Sequence, residues 1–178
     1  MADFPVVYTF GHGKLDVDRF VSILTGAGIG VVIDIRRNPM PADAPGFNRE
    51  HFQAQLDANN IVYHWAGRHL GGDLKSTSPS RHRALRSPAL RAYADYMGAP
   101  EFRRAAQQLM NLASDANAVL LAAEPEPDVC HRSLIADLLL LEGWQVFHLD
   151  HSGGMNEHLL RPEARRESAE LIYDNDTQ

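Results

Sequence analysis

Hydrophobic and polar positions along residues 6 to 150 alternate between two periods. Short apolar or β-branched runs predict strands at VVYTF (Val6 to Phe10), VVIDI (Val31 to Ile35), IVYHW (Ile61 to Trp65), AVLLAA (Ala118 to Ala123) and WQVFHL (Trp144 to Leu149). Between them the apolar positions recur at helical spacing. Phe20, Ile23 and Leu24 follow Asp16, an N-cap candidate, and precede Gly26 and Gly28. A connector with Pro39, Pro41 and Pro45 leads into a helix from Asn48 carrying Phe52 and Leu56. Pro88 opens a helix through Tyr93 and Tyr96, Gly98-Ala99-Pro100 breaks it, and a second helix carries Phe102, Leu109 and Leu112. The stretch from His131 to Glu142 places Leu134, Ile135, Leu138 and Leu141 on a helix that Gly143 ends.

Strands this apolar are covered on both faces, and strands alternating with helices pair in parallel. The pattern predicts a three-layer, Rossmann-like α/β sandwich with a mostly parallel five-stranded sheet. With 178 residues the chain has the length of one domain: a core over 6–150, a basic loop over 66–87 and a tail over 154–178 with a short helix at Glu163 to Tyr173. At 44% hydrophobic and 22% charged residues, disordered and collagen-like classes are excluded. No apolar run reaches the roughly 18 to 20 residues of a membrane span, and the N-terminus lacks the pattern of a secretory signal. A cytoplasmic protein without membrane attachment is expected. One cysteine, Cys130, excludes internal disulfides and any Cys-rich zinc site.

The net charge of -6 is unevenly spread. Arg68, Lys75, Arg81, Arg83, Arg86 and Arg91 face Asp73 alone, so a basic loop sits on an acidic body. Such a loop is either a solvated face or an electrostatic guide for an anionic ligand.

In open parallel sheets the ligand site lies beyond the carboxyl ends of the strands. Those ends carry Gly11-His12-Gly13, then Asp34 and Arg36, then His64 with Gly71-Gly72, then Glu124 with Cys130-His131-Arg132-Ser133, and finally His148, Asp150 and His151. Each has a structural explanation on its own, but five strand ends converging on one rim point to a functional pocket. The start of the helix after Cys130 has the form of a phosphate or carboxylate cradle, with His131, Arg132 and Ser133 in its first turn. The same setting is expected to lower the pKa of Cys130, leaving it open as nucleophile, ligand contact or core residue. The loops of tyrosine phosphatases and rhodaneses need an Arg five or six positions past the Cys, where Ile135 and Ala136 stand. No His-Glu-x-x-His, Walker or complete Rossmann fingerprint occurs. No cofactor is expected; the weaker alternative is a divalent metal on His148, Asp150 and His151.

TFGHG, VIDIR, FNREHF, HLGG, YADYM followed by PEF, and AAEPEPDVCHRSLIAD together resemble, in order and over roughly residues 8 to 150, the bacterial domain-of-unknown-function-488 family. The resemblance implies a Rossmann-like domain and a rim site of His12, Asp34, Arg36, Asn48, Gly71, Gly72, Glu124, Cys130, His131 and Arg132. Where that family often has a Cys two positions before the acidic residue, this chain has Ala122, and Gly13 replaces the usual Ser.

These readings favour an enzyme acting on a nucleotide, a modified base or a nucleic-acid end, by hydrolysis or by glycosyl or phosphoryl transfer. Glu124 or Asp34 is the expected carboxylate, His12 its acid/base partner, and Gly11, Arg36, Asn48, Gly71, Gly72, His131, Arg132 and Ser133 hold substrate or anion. Thiol chemistry at Cys130 and a non-catalytic nucleotide or nucleic-acid binding module are the alternatives. The expected partners are a small phosphorylated ligand or a nucleic acid, with a homodimer left open.

Overall fold

The computed structural model describes residues 4–76 and 79–175, so residues 77–78 of the basic loop and 176–178 of the tail lie outside the described residues. Strands β1 (Val6–Gly11), β2 (Val31–Asp34), β3 (Val62–Trp65), β4 (Ala118–Ala122) and β5 (Gln145–Leu149) fall on the apolar runs and pair in parallel. A further strand, β6 (Met155–Glu157), runs antiparallel to β5, giving the order β3-β2-β4-β1-β5-β6. The sheet therefore has six strands, not the five expected. All three β6 residues are exposed, so no hydrophobic period announces a strand held by its backbone register alone.

Helices α1 (Val17–Gly26) and α2 (Arg49–Asp57) cover one face of the sheet, where Phe20, Leu24, Phe52 and Leu56 pack on Phe10, Val32, Val119 and Leu121. The other face is covered by α4 (Pro88–Tyr96), α5 (Pro100–Asp115) and α6 (Arg132–Leu141), after a single turn, α3 (Gly67–Leu70). Asp16 caps α1 by accepting from the Arg19 N–H at 2.7 Å, and Ser87 caps α4 ahead of Pro88.

The tail corrects the expected helix over Glu163 to Tyr173: it is a hairpin of β7 (Ala164–Glu167) and β8 (Glu170–Tyr173). Tertiary anchoring decides it. The Tyr173 N–H donates to His82 Nδ1 at 3.2 Å, its carbonyl accepts from the Ala84 N–H at 3.0 Å, and its hydroxyl donates to Asp137 at 3.0 Å. An extended Tyr173 satisfies all three, and Ser168 makes the turn at φ 55°.

The connections place the site. The chain leaves β1 and β2 into α1 and α2 on one face but leaves β4 into α6 on the other. Because β4 lies between β2 and β1, the loops diverge around its carboxyl end, the place where ligands of open parallel sheets bind. A separate cavity of about 350 Å³ lies between α4, α5 and the hairpin, lined by Phe102, Met110, Leu138 and Ile172.

Candidate functional site

Strand β4 ends at Ala122, Glu124 follows, a 3₁₀ turn at Pro127–Val129 reverses the chain, and Cys130 and His131 lead into α6. One ligand atom from each of Glu124, Cys130 and His131 lies within 4.8 Å of the other two. The Cys130 thiol donates to Glu124 Oε2 at 3.1 Å, and its Sγ lies 3.7 Å from His131 Nδ1. His131 Nε2 lies 3.2 Å from the Ile35 carbonyl at the end of β2. A carbonyl only accepts, so the ring proton sits on Nε2 and the Nδ1 lone pair faces the thiol.

Burial is the main cause that pushes the Cys130 thiol up to about 12, with the Glu124 charge adding to it and Arg132 opposing. This corrects the expectation of a lowered pKa: the side chain is 1% exposed, and desolvation outweighs the helix terminus. Burial also draws the Glu124 carboxyl upward. The thiol hydrogen bond, its own backbone N–H, His131 and Arg132 outweigh that and hold it below the usual range. Burial lowers the His131 pKa, leaving a neutral imidazole at neutral pH.

Arg132 is fully buried and serves the loop. Its Nε donates to Thr9 Oγ1 at 3.2 Å, and its terminal nitrogens donate to the carbonyls of Glu124 and Pro125. The α6 terminus is closed by Cys130 itself, which accepts from the Arg132 N–H at Sγ, and from the Ser133 N–H and hydroxyl at its carbonyl. The donors expected to cradle an anion at Arg132 and Ser133 are thus engaged within the protein.

Asp34 and Arg36 form a buried clamp. Asp34 Oδ1 accepts from the Arg36 backbone N–H and Nε, and Oδ2 accepts from Arg36 at 2.7 Å and from the Tyr63 hydroxyl at 2.6 Å. Arg36 also donates to the Phe47 carbonyl. With four donors on it and no exposed surface, Asp34 positions Arg36 and Tyr63 and is poorly placed to take a proton from a substrate. His12 stacks on Phe47 with ring centroids 4.4 Å apart, its Nδ1 lies 2.9 Å from the Gly13 carbonyl, and its Nε2 is buried without a hydrogen-bond partner. Burial lowers its pKa. Asn48 Oδ1, at the start of α2, is also buried and unpartnered.

The glycines act through close approach. A Cβ at Gly11 would overlap the Glu124 carbonyl, one at Gly71 would fall 2.7 Å from Arg37 Cα, and one at Gly72 would fall 2.7 Å from His131 Nδ1. Arg37 donates to the Gly72 and Gly71 carbonyls at 2.7 and 3.1 Å, fixing that loop beside His131. The polar residues at the end of β5 part company. His151 meets the Gly11 carbonyl, Asp150 accepts from the Ser152 and Gly154 N–H groups, and His148 turns inward.

Sequence reasoning missed what His148 does. Thr9 Oγ1 accepts from Arg132 and lies 2.6 Å from His148 Nδ1; His148 Nε2 lies 2.9 Å from His158 Nδ1, and His158 Nε2 lies 2.9 Å from Asp137. This buried chain ties the site's arginine to the tail. Its signal was Asp137 itself, an acid inside the apolar helix SLIADLLLL.

Such an arrangement, an α/β domain whose polar residues gather at the switch of strand β4, defines the class. The family model described as Domain of unknown function DUF488 matches residues 16–139, and the chain belongs to that family. The matched span holds Asp34, Arg36, Glu124, Cys130, His131 and Arg132, and ends before His148 and His158. No curated protein and no solved structure matches the chain. Among the described residues no helix is long and apolar enough to cross a membrane.

Proposed function

We propose that this Rossmann-like domain is a hydrolase or transferase acting on a phosphorylated nucleotide or a nucleic-acid end, with its reacting centre at Glu124, Cys130 and His131. The observation that carries the reading is the convergence of a carboxylate, a thiol and an imidazole lone pair beyond β4, at the crevice where ligands of open parallel sheets bind. Glu124, ionised and on the exposed side of the cluster, is the group that activates the attacking water. In hydrolysis Glu124 takes a proton from the water, the water oxygen bonds to the phosphorus or sugar carbon, and the leaving oxygen or nitrogen takes up that proton as its bond breaks. His12, with its unpartnered Nε2 on the neighbouring loop, is the candidate contact to a substrate hydroxyl.

Anion attraction comes from the basic segment. It passes the site at Gly72, which lies over His131, and among the described residues Arg68, Lys75, Arg83, Arg86 and Arg91 form no ion pair, while Arg81 meets Glu167 and Glu170. Unpaired cations of this kind raise the local concentration of phosphates.

Turnover on a panel of nucleoside phosphates and end-phosphorylated oligonucleotides tests the proposal. Glu124→Gln should lower kcat by at least about a hundredfold with an unchanged circular dichroism spectrum. Wild-type rates in that variant, or no turnover by the wild-type chain on any member of the panel, would reject the reading.

A further inference from the structure

Cys130 buries its thiol against a carboxylate that a surface glutamate has no need to supply, and His131 turns a lone pair rather than an N–H toward the same point. We propose that Glu124 Oε2, Cys130 Sγ and His131 Nδ1 are the three protein ligands of a single zinc-class metal ion, with a fourth coordination position facing the crevice. The proposal rests on the reading of this cluster as the reacting centre and refines the part Glu124 plays, from base to ligand.

The spacing fits. Tetrahedral ligands at zinc bond lengths stand about 3.5 Å from one another, and the sulfur lies 3.1 Å from Oε2 and 3.7 Å from Nδ1. The outer contacts also fit. A metal-ligating histidine normally donates its other ring N–H to a carbonyl or carboxylate, which is what His131 Nε2 does with Ile35. Arg132 grips the carbonyls of Glu124 and Pro125, so the loop is fixed by its backbone and the Glu124 carboxylate is left for the cluster. Gly72 is the third support: a Cβ there would stand 2.7 Å from the coordinating nitrogen, so the residue above Nδ1 has to lack one.

The ligand types select the ion. One sulfur, one imidazole nitrogen and one carboxylate oxygen suit zinc or cobalt; magnesium and calcium require sets made of oxygen. On binding, the S–H bond breaks, its proton leaves to solvent and an S–metal bond takes its place. Thiolate and carboxylate together then offset the two positive charges of the ion. Three protein ligands with an open fourth position is the arrangement that lets a metal hold and acidify water.

The test uses the whole chain, stripped with a chelator and titrated with zinc by calorimetry and with cobalt(II) by absorption. One ion per chain is expected, with a thiolate-to-cobalt charge-transfer band. Cys130→Ser should abolish the band, and Glu124→Gln, His131→Gln and Gly72→Ala should each weaken binding by about tenfold or more, while His51→Gln on the exposed side of α2 leaves it unchanged. No ion taken up by the wild-type chain, or cobalt bound without the thiolate band, overturns the proposal whether or not the variants fold. Turnover by the stripped chain that zinc does not increase overturns it too and leaves the hydrolase reading standing. Binding with the band present but no turnover on any nucleotide supports the metal site and removes the nucleotide reading.

Discussion

Arg132 illustrates how a residue of the site can be indispensable without touching a ligand. It is the largest fully buried side chain in the molecule, and its fork satisfies two loop carbonyls and the Thr9 hydroxyl. Arg132→Leu removes those donors and leaves the acceptors desolvated, which costs about 3 kcal/mol or more. Urea unfolding should show that loss as a lower midpoint with an unchanged slope; a midpoint within error of wild type would mean that the loop is held by other means. Asp34 teaches the converse. As an acid at a strand end it reads in the sequence like a catalytic group, and its position on the rim was legible. Its pairing with Arg36, two positions on, was legible as its structural explanation; the Tyr63 hydroxyl on it was not, because Tyr63 reaches it through strand pairing and no local spacing encodes that contact.

At the scale of elements, α6 and β5 carry a polar network through the core. His148 is held down to about 3, first by burial and then by His158 and Arg132, against an ordinary value of 6.5. In the unfolded chain His148 takes a proton near its ordinary value, while in the folded chain it resists one until about 3. The stabilisation is therefore fully present above pH of about 6.5 and is lost progressively as pH falls toward about 3. Lowered values at His12, His82 and His131 act in the same sense. Stability measured by denaturant at successive pH values should fall over this window, and His148→Gln should flatten the fall. An equally steep fall in that variant would place the pH dependence elsewhere. The same elements show where periodicity succeeds and fails. The five parallel strands and the helices α1, α2, α4, α5 and α6 were legible because each buries a continuous or helically spaced apolar face, whereas the single turn α3 lies inside what read as the basic loop. The hairpin β7–β8 was not. Ala164, Leu171, Ile172 and Tyr173 are its buried residues, and their spacing is compatible with a helix until Tyr173 is tied to His82, Ala84 and Asp137.

Over the whole molecule the cluster beyond β4 and the cavity beside the hairpin are the two places weighed for a ligand. The crevice around β4 has Glu124, Cys130, His131 and the unpartnered His12 Nε2. The cavity between α4, α5 and the hairpin is lined by Phe102, Met110 and Leu171, with Arg81 and Arg103 pairing with Glu170 beside them. Its cations are neutralised, so it lacks the unbalanced charge that draws a phosphate, whereas the basic segment passes Gly72 beside His131. The site was legible as a rim of strand ends, since crossover topology alone sends those ends to one side of the sheet. Which three residues actually meet was not legible, because the 3₁₀ turn at Pro127–Val129 that folds Cys130 back onto Glu124 has no strong sequence signature. The most direct measurement is an NMR titration of the labelled chain with end-phosphorylated oligonucleotide and with nucleoside monophosphates. Saturable amide shifts should cluster at Gly11 to Gly13, Gly72 and Glu124 to Arg132. Shifts confined to residues around Phe102, Met110 and Leu171, with the β4 crevice silent, would contradict the placement of the site.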